Sequence, residues 1–196
     1  MNKFYNFHPS LLREYYIRGI VNDTLCANDA RAIGAIFGSI VRNNGGQDIV
    51  VGRDGRHSSI EMEKSLIDGL ISQGLTVFSI GLCPTPQLYF GVYHLEADGG
   101  IMITGSHNPP DYNGFKLMLG HSPFFGQDIQ DMAKTPYDPA EIRQGGQQIQ
   151  LNIQEAYLDR VLEGLELGRE LYIVWDCGNG AAGPAVEKLC KSLPGK

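Results

Sequence analysis

The sequence predicts an α/β fold: a three-layer α/β/α domain with a mixed, largely parallel sheet, followed by the start of a second, similar domain. Two observations support this prediction. Segments with apolar residues at helical spacing alternate with short, continuous apolar runs, which is the pattern of helices packed on a largely parallel sheet. A stretch over residues 120–148 then has many Gly, Gln and Pro residues and little periodicity. We therefore expect the first domain at residues 1–150 and the beginning of the second at residues 151–196.

Helices and strands alternate along the first hundred residues. Each predicted helix has apolar residues every three or four positions, and each predicted strand is a short apolar run. The expected elements are a helix from a cap at Asn28 or Asp29 to Gly45-Gly46, a strand over 48–52, a helix over 58–73 closed by Gly74, a strand over 75–80, a helix over 87–95 and a strand over 99–103. The core positions expected on the first two helices are Ile33, Ile36, Phe37, Ile40 and Val41, and then Ile60, Leu66, Ile67, Leu70 and Ile71.

The elements of the second half are less regular. Asp111-Tyr112-Asn113-Gly114 is typical of a turn, after which a strand returns alongside residues 99–103. The expected elements are that strand over 115–119, one helical turn near residues 129–133, a helix from a cap at Asn152 to about Leu167, and a strand over 171–175.

Ser106 lies in a loop that the sequence predicts to be stiff. It follows a buried strand, and Pro109-Pro110 cannot continue that strand because each proline lacks an N–H group and has a fixed φ. The returning strand brings Lys116 towards Ser106. Ligands bind where loops leave the carboxyl ends of parallel strands. We therefore expect Arg53, Thr85 and Ser106 to lie at one edge of the sheet.

Three interpretations of Ser106 and its neighbour His107 are open at this point. The serine can cap its own turn beside a surface histidine. A hydrolase triad is disfavoured, because adjacent side chains rarely point at each other and the sequence has no Gly-x-Ser-x-Gly segment. The third interpretation is phosphoryl transfer, in which the serine carries a phosphate of about −1.5 to −2 charge that Lys, Arg and a metal ion neutralise.

The composition is that of a cytoplasmic enzyme and not of a protein that binds nucleic acid or membranes. Hydrophobic residues make up 42% of the chain and charged residues 19%, which is enough to bury a sizeable core. A net charge of −6 disfavours nucleic acid and anionic membranes as partners.

No signal peptide or membrane span is recognisable in the sequence of the N-terminus. Cys26, Cys83, Cys177 and Cys190 lack the spacing of a zinc or redox site, so we expect free thiols.

Four segments carry a resemblance to a known family. They are Arg13-Glu14-Tyr15-Tyr16-Ile17-Arg18-Gly19, Val51-Gly52-Arg53-Asp54-Gly55-Arg56-His57-Ser58-Ser59, Gly81-Leu82-Cys83-Pro84-Thr85-Pro86, and Thr104-Gly105-Ser106-His107-Asn108-Pro109 with the following Asn113-Gly114-Phe115-Lys116. Together, and in this order, they resemble the α-D-phosphohexomutases, the family of phosphomannomutases and phosphoglucomutases. The last segment is similar to the phosphoserine loop of that family.

The resemblance implies a phosphotransferase that interconverts sugar 1-phosphates and 6-phosphates through a phosphoserine and a bisphosphorylated sugar. By motif position, the catalytic residues are Ser106, Lys116, Arg18 and His107, the residues that contact the glucose or mannose phosphate are Asn108, Arg53 and Arg56, and phosphorylated Ser106 is a ligand of Mg²⁺. Relatives complete the Mg²⁺ site with an Asp-Gly-Asp-Gly-Asp-Arg loop, which is missing from this sequence. We therefore expect a fragment of a mutase that is inactive alone.

Two residues depart from the usual pattern of the family. Gly105 replaces an Ala, which adds backbone freedom next to Ser106. Tyr16 replaces an Asp and so removes a carboxylate between Glu14 and Arg18. Any ion pair that orients the arginine in relatives must therefore be replaced or missing here.

Two alternatives to the mutase remain. Gly178, Gly180 and Gly183 fit the Gly-x-Gly-x-x-Gly pattern of dinucleotide-binding proteins, and Pro184 suits a first helical turn. We favour the resemblance of this segment to the Asp-x-Gly-Asn-Gly at the start of the family's second domain. The other alternative is a phosphosugar-binding or regulatory protein that has lost turnover.

Overall fold

The computed structural model describes residues 4–166, 168–169 and 171–193. Along these residues the chain forms β1 (Ile17–Ile20), α1 (Ala27–Asn43), β2 (Asp48–Arg53), α2 (His57–Ser72), β3 (Thr76–Leu82), α3 (Thr85–His94), β4 (Gly99–Ile103), β5 (Tyr112–Leu119), β6 (Ser122–Phe124), α4 (Gln127–Met132), β7 (Gln147–Gln150), α5 (Gln154–Leu162) and α6 (Gly183–Ser192).

The strands form one mixed sheet in the order β1-β5-β4-β2-β3-β7, with β6 paired to β5. Strands β4, β2, β3 and β7 are parallel to their neighbours in this order. Strand β5 runs antiparallel to β1, β4 and β6, because a short loop joins it to β4. The carboxyl ends of β2, β3 and β4 consequently lie along one edge of the sheet, where their loops project.

Apolar side chains fill both faces of the sheet and define three layers. Val51 belongs to the buried cluster that includes the inner faces of α1 and α2. Its neighbour Val50 points to the opposite face, where it packs with Leu88 and Val92 of α3 and with Ile153 before α5. Alternate strand residues thus supply two separate cores, and the predicted α/β class with a mixed sheet is confirmed.

The first helix starts earlier than the predicted caps. Cys26 is the cap residue, and the Asp29 carboxylate accepts a hydrogen bond from the Cys26 N–H at 2.7 Å. The prediction of a cap at Asn28 or Asp29 is therefore wrong, because Asp29 reaches back to the cap from the third helical position. The predicted end of the helix is confirmed, since the helix stops at Asn43 with Asn44 as its C-cap, and Gly45 follows with a φ of 85°.

One of the predicted core residues of α2 lies on the surface. Ile60 is 58% exposed, whereas Met62, Leu66 and Leu70 are fully buried. The buried face of this helix therefore follows Met62, Leu66 and Leu70, which are spaced four residues apart. Ile60 lies outside this face.

The predicted turn at residues 111–114 is wrong, because β5 already begins at Tyr112. Asn113 pairs with Gly19 and Gly114 with Arg18 in the antiparallel ladder with β1. A strand from the start of the chain thus supplies partners that the local turn signal does not reveal. The predicted antiparallel return beside β4 is confirmed.

The third helix begins at Thr85, two residues before its predicted start, with a proline in its first turn. In the loop-rich stretch, α4 forms at the predicted helical turn. Strands β6 and β7 were not predicted there, because both are short and lack an apolar run.

The segment after the predicted domain boundary forms less regular structure than expected. Helix α5 ends at Leu162, and Leu167, its predicted end, lies outside the described residues. Residues 171–175 were predicted as a strand and form none; their side chains are 46% to 97% exposed. A strand requires a neighbour for its backbone hydrogen bonds, and no strand of the described residues lies beside this segment.

Two further expectations concern the whole chain. All four cysteines are free thiols, as predicted. Within the described ranges, none of the helices combines the length and the apolar character needed to cross a bilayer.

Candidate active site

Ser106 follows β4 in a loop that is held by its own polar groups. Its φ of 54° lies in the left-handed region, which few residues other than glycine adopt. The Thr104 hydroxyl accepts a hydrogen bond from the Ser106 N–H at 2.8 Å. Asn108 donates to the Gly105 carbonyl from its backbone N–H at 3.0 Å and from its side-chain amide at 3.1 Å. Strained backbone of this kind concentrates at functional sites, and here it carries an exposed serine.

Arg56 holds this loop by donating hydrogen bonds to the backbone carbonyls of the loop. The acceptors of its guanidinium include Ser106 (3.2 Å), Asn108 (2.6 Å) and Tyr112 (2.9 Å). Asp54 completes the contact, because its carboxylate pairs with Arg56 at 3.3 Å and accepts the Gly105 N–H at 2.9 Å. The loop between β2 and α2 therefore fixes the position of the loop that carries Ser106.

Gly105 packs closely against this guanidinium. A Cβ atom built on Gly105 would lie 2.1 Å from the Nε and Cζ atoms of Arg56, far inside van der Waals contact. The departure from Ala at this position therefore does more than add backbone freedom, because it makes room for the guanidinium of Arg56.

Arg18 is a buried cation whose hydrogen bonds are incomplete. It is 1% exposed, and its Nη1 donates to the Gly105 carbonyl at 2.8 Å. The Cζ atom lies 4.5 Å from the centroid of the Tyr16 ring. Its Nε and Nη2 atoms are buried without any hydrogen-bond partner. Burial lowers the pKa of the Arg18 guanidinium below its usual value.

The four residues predicted to be catalytic line one cavity of about 320 Å³. Its lining consists of Tyr15, Tyr16, Arg18, Tyr89, Ser106, His107 and Lys116. The Ser106 Oγ lies 3.4 Å from the His107 Nδ1, so these adjacent side chains approach each other more closely than expected. Among the ion pairs of the described residues, none includes Arg18 or Lys116. The cavity is therefore positively charged and suited to an anion.

A second cavity, of about 870 Å³, meets the first at Ser106. It is lined by Arg56, Asn108 and Thr85, and by residues 178–182 of the glycine-rich segment. His57, Ser58 and residues 178–182 also line this cavity, and the sequence does not predict them as site residues, although residues 178–182 lie in the glycine pattern. The expected meeting of Thr85 and Ser106 at one edge is observed.

Arg53 lies apart from both cavities. Its Nε donates to the Glu63 carboxylate at 2.8 Å, and it is not among the residues that line either cavity. The side chain points back to α2, whereas its predicted contact was with the phosphosugar.

The residues present do not form a metal site by themselves. No group of three or more His, Cys, Asp or Glu side chains that could hold a metal ion occurs in the part of the chain that the structure describes. The only predicted ligand is Ser106, through a phosphate.

The chain is similar to one family of proteins along most of its length. The family model described as phosphoglucomutase/phosphomannomutase, alpha/beta/alpha domain I, matches residues 10–138. A phosphomannomutase/phosphoglucomutase of Pseudomonas aeruginosa is 39% identical over 185 residues, which are 94% of this chain and 40% of the relative. A phosphoglucomutase of Neisseria gonorrhoeae is 38% identical over 187 residues, with 93% and 40% covered.

Solved structures give the same result. The crystal structure of a phosphoglucomutase/phosphomannomutase family protein from Burkholderia thailandensis matches with a TM-score of 0.87 and 39% identity, over 96% of this chain and 43% of that one. The chain thus spans about 40% of the length of the curated relatives that it matches.

Proposed function

The chain belongs to the phosphoglucomutase/phosphomannomutase family, and from this premise we propose that it is the N-terminal part of a phosphohexomutase. Residues 1–150 would form its first domain and residues 151–196 the beginning of its second. The activity is the interconversion of the 1-phosphate and 6-phosphate of a hexose such as glucose or mannose. Ser106 carries the phosphoryl group between the two positions.

The observation that supports this proposal is the incomplete bonding of Arg18. A buried charge that lacks a partner is costly, so buried cations are normally paired. Arg18 has two buried N–H-bearing atoms without partners and lines the cavity of Ser106. A phosphate on the Ser106 Oγ supplies an anion with several acceptor oxygens at this position. The serine and the arginine thus complement each other chemically.

The transfer needs few groups from the protein. The bond between phosphorus and the Ser106 Oγ breaks while a sugar hydroxyl forms a bond to the phosphorus and gives up its proton. Lys116 and His107 line the cavity in which that proton must be accepted and the charge of the phosphoryl group neutralised. The second half of the reaction returns the other phosphate of the bisphosphorylated sugar to Ser106. Its protein chemistry is the reverse of the first half.

The three residues predicted to contact the phosphosugar differ in what they contact. Asn108 lines the larger cavity, and we propose that it contacts the phosphosugar there. Arg56 and Arg53 already have acceptors on the protein. We therefore assign Arg56 to holding the Ser106 loop and Arg53 to the ion pair with Glu63.

The family generally depends on Mg²⁺, and in this chain only phosphorylated Ser106 could contribute a ligand. When bound, the cation would neutralise charge on the seryl phosphate. The carboxylates needed to hold it are not assembled among the described residues, so we place them outside this sequence.

A non-catalytic protein that binds phosphosugars is the second candidate function. The cavity lined by Arg18, Lys116 and Ser106 supports it, because such a cavity can bind the phosphate of a sugar without transferring it. A dinucleotide-binding glycine segment directly follows a strand. Residues 171–175, which precede the glycine-rich segment here, form no strand, and this disfavours the dinucleotide-binding alternative.

The experiment that tests the proposal is transfer of phosphate to Ser106. The complete protein that contains this chain is incubated with glucose 1,6-bisphosphate and Mg²⁺, and its intact mass is measured. We expect the mass of one phosphoryl group to be gained by the chain, lost in Ser106→Ala, and retained in Ser192→Ala, which changes an exposed serine on α6. A phosphate on a residue other than Ser106, or none on any, contradicts the proposal.

A further inference from the structure

The aromatic ring of Tyr16 contacts the guanidinium of Arg18 without using any hydrogen-bond donor of the arginine. The Cζ atom of Arg18 lies 4.5 Å from the centroid of the Tyr16 ring. A guanidinium over an aromatic face is attracted by the ring quadrupole. All donors of arginine are N–H groups in the guanidinium plane, so the ring can hold the cation while these groups bond elsewhere.

The donor atoms of Arg18 are only partly used by the protein. Nη1 is bonded to the Gly105 carbonyl at 2.8 Å, which fixes the guanidinium to the residue before Ser106. Nε and Nη2 are buried and have no partner. Tyr16, Arg18 and Ser106 line the same cavity. The arrangement therefore orients the cation from two sides and leaves two donor atoms unused.

An aspartate at position 16 would act differently. A carboxylate next to an arginine accepts two parallel N–H bonds in a fork geometry. It would occupy donor groups that an incoming phosphate needs, and its charge would offset that of the arginine. Tyr16 avoids both effects, because the ring is neutral and accepts no in-plane hydrogen bond.

We propose that Tyr16 is a positioning residue, whose ring holds Arg18 against the Gly105 carbonyl so that Nε and Nη2 stay available to a phosphate on Ser106. The inference rests on the proposed function in one respect, namely that Ser106 carries the phosphate. It assigns the role to the aromatic face and not to the hydroxyl. Phenylalanine should therefore serve as well as tyrosine, whereas an aliphatic side chain should not.

The test uses the full chain with phosphoserine installed at position 106 by genetic code expansion. The second pKa of this phosphoserine is measured by ³¹P NMR, because a nearby cation that bonds to the dianion lowers that pKa. In the unchanged chain we expect a value below the ordinary one of about 6. Tyr16→Phe should titrate like the unchanged chain. Tyr16→Leu should raise the pKa by roughly half a unit.

Tyr16→Asp should raise the phosphoserine pKa further than Tyr16→Leu, because its carboxylate competes for the arginine and repels the phosphate. The control is Tyr93→Leu, which removes an exposed tyrosine that stacks on His121 at 4.2 Å outside the cavity. It should titrate like the unchanged chain. Thermal unfolding of each variant shows whether the fold is retained.

The proposal is overturned if Tyr16→Leu titrates like the unchanged chain, or if Tyr16→Phe shifts as much as Tyr16→Leu. If the leucine variant does not fold, Tyr16→Met takes its place in the same comparison with Tyr16→Phe. Failure of the proposed function appears separately, as a complete protein that accepts no phosphate on Ser106 from the bisphosphorylated sugar. In that case the titrations of the installed phosphoserine still report on Tyr16.

Discussion

Arg18 and Arg56 both donate hydrogen bonds to the Ser106 loop, but only one of them has donor atoms left over. The guanidinium of Arg56 bonds to several backbone carbonyls and pairs with Asp54. Arg18 makes a single bond, to Gly105, and keeps two buried donor atoms without partners. The number of unused donors is the difference on which we base the proposal that Arg56 positions the loop and Arg18 binds an anion. The sequence shows the same residue type at both positions and cannot make this distinction.

The close approach of Gly105 and Arg56 leads to a prediction about their coupling. Gly105→Ala should lower the free energy of unfolding by about 1 to 3 kcal/mol, because the new methyl group displaces the guanidinium of Arg56 from the loop. In an Arg56→Ala background the same change should cost little, since the obstructing atoms are gone. Urea denaturation of the two single variants and the double variant measures this coupling.

Gly183→Ala is the control for this cycle, because a Cβ atom at Gly183 meets no other atom within 4 Å. Its effect should be the same with and without Arg56. Equal costs of Gly105→Ala in both backgrounds would show that the two residues are independent.

Among the helices and strands, the spacing of apolar residues predicts those elements that depend on local sequence. The spacing of apolar residues locates α1 and α2, and the apolar run of residues 99–103 gives β4 at its observed bounds. The turn predicted at Asp111-Tyr112-Asn113-Gly114 failed because pairing with β1 extends β5 backwards over these residues. Residues 171–175 have strand-like composition but lack a neighbour. Long-range pairing, which no local window contains, thus explains both errors.

The start of α1 gives a prediction about alkaline pH. The Tyr5 hydroxyl donates to the Asp29 carboxylate at 3.0 Å. Burial, and after it the charge of Asp29, raises the pKa of Tyr5 above its ordinary value of 10.0. A group whose pKa is raised on folding stabilises the fold fully below its unfolded pKa and loses this effect as the pH rises. The free energy of unfolding should therefore fall as the pH increases above about 10.

Tyr5→Phe identifies the residue responsible for this loss. The variant should be less stable at neutral pH by about 1 kcal/mol and should show a smaller fall above pH 10 than the unchanged chain. Guanidinium chloride denaturation at a series of pH values measures both effects. Parallel curves for the two proteins would exclude Tyr5 as the titrating group.

At the scale of the whole molecule, the two cavities meet at one serine. The smaller cavity holds the unpaired cations, and the larger one is lined partly by residues 178–182, which belong to the segment after the predicted domain boundary. The four family segments are visible in the sequence and identify Ser106, Lys116, Arg18 and His107 as candidate site residues. The structure places these four residues in the lining of one cavity. The contributions of His57 and Ser58 depend on how the loops fold together, so the sequence did not reveal them.

The isolated chain lacks part of the site that relatives use. We expect no measurable mutase turnover with glucose 1-phosphate or mannose 1-phosphate, because the Mg²⁺-binding aspartates of the family are absent from this sequence. A coupled assay of glucose 6-phosphate or mannose 6-phosphate formation tests this expectation. Robust turnover that depends on Ser106 would show that the chain alone forms a complete site.

We propose that Arg18 is the counterion of a phosphate on Ser106. Arg18→Met tests it most directly, because methionine keeps the apolar stem of the side chain and removes the charge and the donors. The measurement is the second pKa of phosphoserine at position 106, read by ³¹P NMR in the full chain. We predict that the pKa rises in Arg18→Met towards the ordinary value of about 6. An unchanged titration curve in a folded Arg18→Met variant would contradict the claim.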